Sequence, residues 1–439
     1  MHAGAFVVGL DPQHASVNPA TADGDLVAAR VRLAAAAGGL GITSATTTSP
    51  HAFLGSLCLT SHLVKSALGD GALADDAAVA TALPELAAAV RSNSFASVPS
   101  VSSATLRDLV AGPFAHVQRK LSRAACKQVS DDVFKRIVDP TAAAWFLSGQ
   151  EDGATFLIAY PEFGGGLTDL QFTTLARARL GLQVVPGLDA PEQCPACSGL
   201  MANKHVLAPK NSTLRPDGLH ALTCHEPDKG GLMGHQSSRH AHLKASVAEA
   251  LARVLPPTAI IEKFEPHTRD YFPFRPGQTT EKRGDLAVTV AGVTKILDTV
   301  VSHPNPNTEP RTATVPGFAA HAAHNEKQAM YYKTFVIPTG HMVPLSAETG
   351  GRLHDAFKGY VKECVAHGLA DAGSPAPVWT TATRAIFSSR LRSALVTINI
   401  AIARSVASAL IRGSKVLVRY GAQHGDPRGA AQAAPAGGG

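Results

Sequence analysis

The sequence predicts an α+β fold with an all-α N-terminal half, a small metal-organised module, a mixed strand and helix core, and a long C-terminal helix. Three observations predict it. Between Leu26 and Leu182 apolar residues recur three and four apart, as in Leu26-Ala29-Leu33, Leu54-Leu57-Cys58 and Phe172-Leu175-Ala178-Leu182, the period of one helix face. From Cys194 to Cys224 that period stops, and cysteine, histidine and glycine take over. Beyond Ala259 the pattern switches to short β-rich runs separated by helical ones.

The elements follow in order. Residues 1–25 are weakly patterned and read as a disordered start. Residues 26–190 form the helical half, punctuated at Gly38-Gly39 and Gly164-Gly165-Gly166 and closed by the Pro/Gly/Asp run Pro186 to Pro191. Residues 191–235 are the metal module. Residues 236–372 form the mixed core, beginning with a helix whose stripe is Leu243, Val247, Leu251 and Val254, after a basic start at Arg239-His240. Strands follow at Ala259-Ile260-Ile261, Asp285 to Val290 and Lys295 to Val301, the last two joined as a hairpin through Ala291-Gly292. A helix from about Ala322 to Phe335, a strand around Met342 to Leu345 and a helix from Leu353 to His367 complete the core. After a Gly/Ser/Pro linker, residues 378–415 make the last helix, and residues 421–439 a disordered tail rich in Gly, Ala and Pro.

Composition bounds the function. With 45% hydrophobic and 17% charged residues over 439 positions, wholesale disorder is excluded and two or three domains are expected. Lys and Arg exceed Asp and Glu by six, and the pI near 9.0 favours a polyanionic partner. No run reaches about 18 consecutive apolar residues, so no membrane partner is expected. Met1 to Gly9 carries no Lys or Arg, which argues against a secretory signal and for an intracellular setting. Six cysteines are too few for a disulfide scaffold, leaving metal binding for those that cluster.

Three do cluster. Cys194 and Cys197 form C-x2-C, and His220 and Cys224 form H-x3-C after a longer gap. Thiolate and imidazole are zinc's preferred ligands, and two such pairs close a tetrahedron with no open position, so the expected Zn²⁺ is structural. His205 or His225 could replace His220, and buried unligated thiols remain the alternative.

The hairpin carries the other chemistry. Asp285 opens one strand and Asp298 lies in the next, so folding brings two carboxylates near each other, an arrangement that can hold a divalent cation at a phosphate. The nuclease pattern PD-(D/E)XK places a lysine two residues past the second acid, where this chain has Val300; Lys327, on the following helix one turn before Tyr331, could supply the charge. Aspartates beside a turn are also commonly solvated turn residues, and spacing leaves both readings open.

In combination these segments resemble the C-terminal part of non-LTR retrotransposon (LINE-type) reverse transcriptase proteins of the restriction-like endonuclease class. The resemblance is carried by Gly38-Gly39-Leu40-Gly41-Ile42 with Ala52-Phe53-Leu54, by Leu167-Thr168-Asp169-Leu170 through Leu182, by the Cys/Cys/His/Cys set, and by Arg239-His240 and Glu265-Pro266. It continues through Arg283-Gly284-Asp285, Ile296-Leu297-Asp298, Lys327 to Tyr331, Val343-Pro344-Leu345 and Glu348-Thr349-Gly350-Gly351. The resemblance implies that residues 26–190 are a post-polymerase thumb and linker region, 191–235 a CCHC zinc knuckle and 236–372 a restriction-like endonuclease core. It further implies that Asp285 and Asp298 hold Mg²⁺ or Mn²⁺, that Lys327 assists at the phosphate, and that Arg239, His240 and Arg283 contact nucleic acid. DNA is the implied partner, with element RNA and a reverse transcriptase beside it, in the nucleus.

The chain departs from the family at Ala241, Gly284 and Val300, and nothing in it resembles the polymerase palm. A nicking, metal-dependent DNA endonuclease is therefore the leading expectation, and an inactive nucleic-acid-binding remnant or a structural zinc-containing interaction protein the alternatives. The arginines Arg384, Arg390, Arg392, Arg404 and Arg412 on the last helix read as a solvated face.

Overall fold

The computed structural model describes residues 22–42, 117–157, 166–184, 192–193, 213–214, 218–222, 232–262, 265–370 and 377–423. Contacts divide the chain into two compact units, with the boundary in the sequence between Val138 and Asp139. In the first, α1 (Ala22–Arg32) and α2 (Val117–Arg136) bury Leu33 and Val133, and the Ser130 hydroxyl donates to the Ala37 carbonyl at 3.0 Å. Gly39 is tied to that contact: a Cβ there would stand 2.0 Å from the Leu33 carbonyl oxygen. The expected helix through Leu54-Leu57-Cys58, the Ala52-Phe53-Leu54 segment and nearly all of both terminal stretches lie outside the described residues.

The second unit is mixed helix and strand, as the sequence predicts. Its elements are α3 (Pro140–Ser148), α4 (Asp169–Leu180), β1 (Glu192–Gln193), β2 (Thr213–Leu214), α5 (Leu232–Val254), β3 (Ile260–Glu262), β4 (Leu286–Val290), β5 (Val293–Ser302), α6 (Phe318–Thr334), β6 (Met342–Glu348), α7 (Asp355–His367) and α8 (Thr381–Gln423). Local chemistry sets several boundaries. Asp139 caps α3, its carboxylate accepting from Ala142 N at 2.6 Å with Pro140 in the first turn. Thr168 and Gln171 form a reciprocal capping box at α4, and Gly181 ends that helix in the left-handed conformation.

The four-stranded sheet has the order β3-β4-β5-β6, antiparallel except for the parallel pair β5 and β6, between which α6 forms the crossover. β4 and β5 are the expected hairpin. Ala291 and Gly292 sit at φ 49° and 79°, the pair of positive values a two-residue type I′ turn requires. On one face of the sheet Leu286, Val288, Leu297 and Leu345 pack with α5, α7 and α8 in the main core. On the other, Ala287, Ile296 and Met342 pack with Tyr331 of α6 and with Phe335 just beyond its end. Alternation along β5 therefore assigns Asp298, two residues past Ile296, to the α6 face and Thr299 to the α5 face.

The stripe Leu243, Val247, Leu251 and Val254 is buried as its spacing predicts. So is a stripe on α8 through Ala394, Ile398, Ile402, Val406 and Leu410, and burial of each larger side chain contributes roughly 1.5–3 kcal/mol. The same core joins Trp145 and Leu175 of the N-terminal half, so residues expected as separate segments share one interior from Trp145 to Leu410. Two bounds are corrected. α5 begins at Leu232, which sets Arg239 and His240 about two turns inside the helix rather than at its start; no proline interrupts the segment, and each added residue gains a backbone hydrogen bond. α8 continues to Gln423 for the same reason. Among the described residues, its stretch Thr381–Gly413 is the one candidate membrane span by length and composition, but 72% of the apolar window is buried, as in a core helix.

Candidate metal and phosphate site

At one end of the hairpin two acids lie on adjacent strands. Asp285 precedes Leu286, whose partner across the ladder is Leu297, the residue before Asp298. Asp285 N donates to the Leu297 carbonyl at 2.8 Å. Both acids are buried, with 7% and 4% exposure, so each needs compensation.

Asp285 receives it from the α5 side. Its Oδ1 lies 2.8 Å from His240 Nε2, while its Oδ2 accepts from Thr299 N at 2.6 Å and from Thr299 Oγ1 at 2.7 Å. Burial pushes this carboxyl up, but the hydrogen bonds of His240 and Thr299 together bring it below its usual value. His240 moves the opposite way: its bond to Asp285 outweighs burial and raises the imidazole.

Asp298 receives it from α6, where Lys327 Nζ lies 3.0 Å from Oδ2. Burial raises the Asp298 carboxyl, the Lys327 charge opposes this, and the neighbouring charge of Asp285 adds to it. Tyr331, one turn beyond Lys327, donates its hydroxyl to the Arg283 carbonyl and also contacts Asp298, which fixes the loop before β4 against α6. His240 and Lys327 are the outer members, with side chains 39% and 33% exposed, so the site opens to solvent past its two basic groups.

Of the expected catalytic set, Lys327 on α6 meets Asp298, while the Asp285 carboxylate on the adjacent strand is turned to His240 and Thr299 on the α5 side. His240, expected at nucleic acid, is engaged with Asp285. Arg283 has an exposed side chain, and its backbone bridges His267 while accepting from Tyr331. The Arg239 side chain lies outside the described residues. Thr299 was not singled out from sequence, because its role depends on Asp285 turning its carboxylate toward the α5 side. Glu265, quoted in the resemblance, accepts from Lys244 Nζ at 3.0 Å, a partner the sequence did not mark; Glu265 sits at φ 50°, a strained value for a residue other than glycine.

Gly284 has a packing reason: a Cβ there would meet Ile296 Cγ2 at 2.4 Å. The donor set fits a hard divalent cation, since two carboxylates with water and substrate oxygens are the usual company of Mg²⁺. Among the described residues no cluster of three or more His, Cys, Asp or Glu is arranged to hold a metal. Of the zinc set, His220 lies in the turn Leu219–Leu222, 4% exposed, with Leu219 and Leu222 in the main core. β1 pairs antiparallel with β2 just before Cys194, while Cys194, Cys197 and Cys224, like His205 and His225, lie outside the described residues.

No protein-family model matches this chain, and no curated protein matches its sequence.

Proposed function

We propose that this chain is a metal-dependent DNA endonuclease that nicks one strand, in the manner its resemblance to restriction-like retrotransposon endonucleases implies. The observation that carries the reading is the pairing of two buried acids, Asp285 and Asp298, on adjacent strands with Lys327 at 3.0 Å from the second. Asp285 and Asp298 would hold Mg²⁺ or Mn²⁺, which when bound polarises the phosphate and lowers the pKa of a water nucleophile. Lys327 is partly exposed and flexible enough to stabilise charge on the attacked phosphate. Thr299 orients Asp285 through its backbone N–H and hydroxyl. Tyr331 holds Asp298 and the loop before β4 in one arrangement. Zn²⁺ at Cys194, Cys197, His220 and Cys224 would order the segment leading into α5.

One observation favours the second reading, a non-cleaving nucleic-acid-binding remnant. His240 and Lys327 already engage the two carboxylates, so each acid has a basic partner among the chain's own side chains. Plasmid nicking separates the two. Purified protein with Mg²⁺ should convert supercoiled DNA to the open circle, and Asp298→Asn should abolish this while leaving DNA binding within about twofold. Nicking by Asp298→Asn at the wild-type rate would refute the assignment.

A further inference from the structure

A third buried acid lies at the far end of α6, away from the hairpin site. Glu348, the last residue of β6, is 2% exposed, and its Oε1 accepts from Ala319 N at 3.0 Å. Its Oε2 is buried without a hydrogen-bond partner, and Arg352 supplies a neighbouring positive charge. α6 lacks a cap of its own: Gly317 occupies the N-cap position in the left-handed conformation and offers no side-chain acceptor. Glu348 thus takes the role of the cap from a different strand, where a carboxylate also suits the positive end of the helix. Its own position is set twice, by the ladder pair Ser302 and Glu348 and by the turn Thr349-Gly350-Gly351. Gly350 N donates to Ser148 Oγ at 3.0 Å, and a Cβ on Gly350 would stand 2.3 Å from that oxygen.

The consequence runs along the helix. β5 and β6 are parallel neighbours in which Asp298 pairs with Pro344 and Ser302 with Glu348, so Asp298 and Glu348 lie on one rigid ladder. α6 touches that ladder at both places, with Ala319 on Glu348 and Lys327 on Asp298. We infer that Glu348 is a positioning residue: by anchoring the first turn of α6 to the end of β6, it sets the axial position at which Lys327 meets Asp298. The catalytic part of this inference rests on the endonuclease reading above, whereas the anchoring does not.

The test uses the full chain and two readouts. In Mg²⁺-dependent nicking, Glu348→Ala should lower kcat about tenfold or more, because small misplacement of a charged group costs rate steeply, while KM for DNA stays within about twofold. Glu348→Gln keeps the acceptor and should restore most of kcat. Glu348→Asp keeps the charge but shortens the reach by one methylene, and should not. A cap that acts only locally would tolerate the aspartate at least as well as the glutamine, and that result would overturn the inference.

The second readout needs no activity. Residues 319 and 327 are about 12 Å apart along a helix, far enough for independent effects on unfolding to multiply. If Glu348 positions Lys327, combining Glu348→Ala with Lys327→Met should change the unfolding equilibrium by about threefold or more less than the product of the single effects. Glu348→Asp replaces the alanine in this cycle if the alanine variant does not fold. A multiplicative cycle would overturn the inference. Coupling in a wild-type protein that does not nick would sink the endonuclease reading and leave the anchor standing; nicking with a multiplicative cycle and unchanged kcat would do the reverse.

Discussion

Replacing Lys327 with methionine keeps most of the side chain's apolar stem and removes only the charge beside Asp298. The carboxylate left behind is 4% exposed and already carries the repulsion of Asp285. Breaking a fully buried pair costs about 3–5 kcal/mol. Lys327 is one-third exposed, so part of its work is taken over by solvent, and about 1–2 kcal/mol is the expected loss at neutral pH. The sign of its pH dependence follows from burial. The Asp298 carboxyl is raised in the folded protein, so its favourable contribution is present when it is protonated below the unfolded value and is lost as pH rises through the folded value. Removing Lys327 raises that value further. The destabilisation should therefore be largest near pH 7 and shrink in acid as the proton replaces the lysine. Urea unfolding of both proteins at pH 7 and at about pH 4.5 measures this, with Asp298→Asn added to the methionine variant as the control. That double variant removes the buried charge and should recover most of the loss, since taking away both partners is milder than orphaning one. Equal destabilisation at the two pH values, or no recovery in the double variant, would refute the reasoning.

Three further outcomes are expected. His354, pushed down to about 4 by burial and by the neighbouring imidazoles of His324 and His321, caps α7 by accepting from Ala356 N and lies 3.2 Å from His321 Nδ1. Its contribution is present above pH 6.5 and is lost as pH falls toward 4, despite the opposing charge of Asp355; His354→Asn, which keeps a capping side chain, should flatten a stability–pH profile over that window. Gly284→Ala should destabilise by about 1–3 kcal/mol in thermal or urea unfolding, because the added methyl meets Ile296 in a packed interior. Metal analysis of freshly purified protein should find about one zinc per chain, and Cys224→Ser should lower that occupancy.

Much of the second unit was legible along the chain. The stripe of α5 repeats at the helical period, and β4 and β5 alternate around a two-residue turn with glycine where the positive φ is required. Each of these signals sits within a few residues, where backbone sterics and burial of one face act directly. The two bounds that shifted, at Leu232 and Gln423, lie where apolar spacing fades but no residue forbids further helix. The same locality explains why Thr299 and the Lys244–Glu265 pair were missed: neither is marked by a spacing, and both depend on which side chains face each other across elements.

What the sequence alone determined about this protein is its mixed helix and strand class, the β4–β5 hairpin that carries Asp285 and Asp298 on neighbouring strands, and the stripes that had to be buried. Those follow from periodicities of two and of three to four, which any neighbouring surface satisfies. The tertiary structure decided that Asp285 is held by His240, 45 residues away, and that Lys327, 29 residues past Asp298, pairs with it. It also decided that Glu348 caps a helix begun 30 residues earlier, through Ala319. These contacts depend on how α5 and α6 dock on opposite faces of one sheet. Docking is set by the summed packing of the whole interior, which no local spacing encodes.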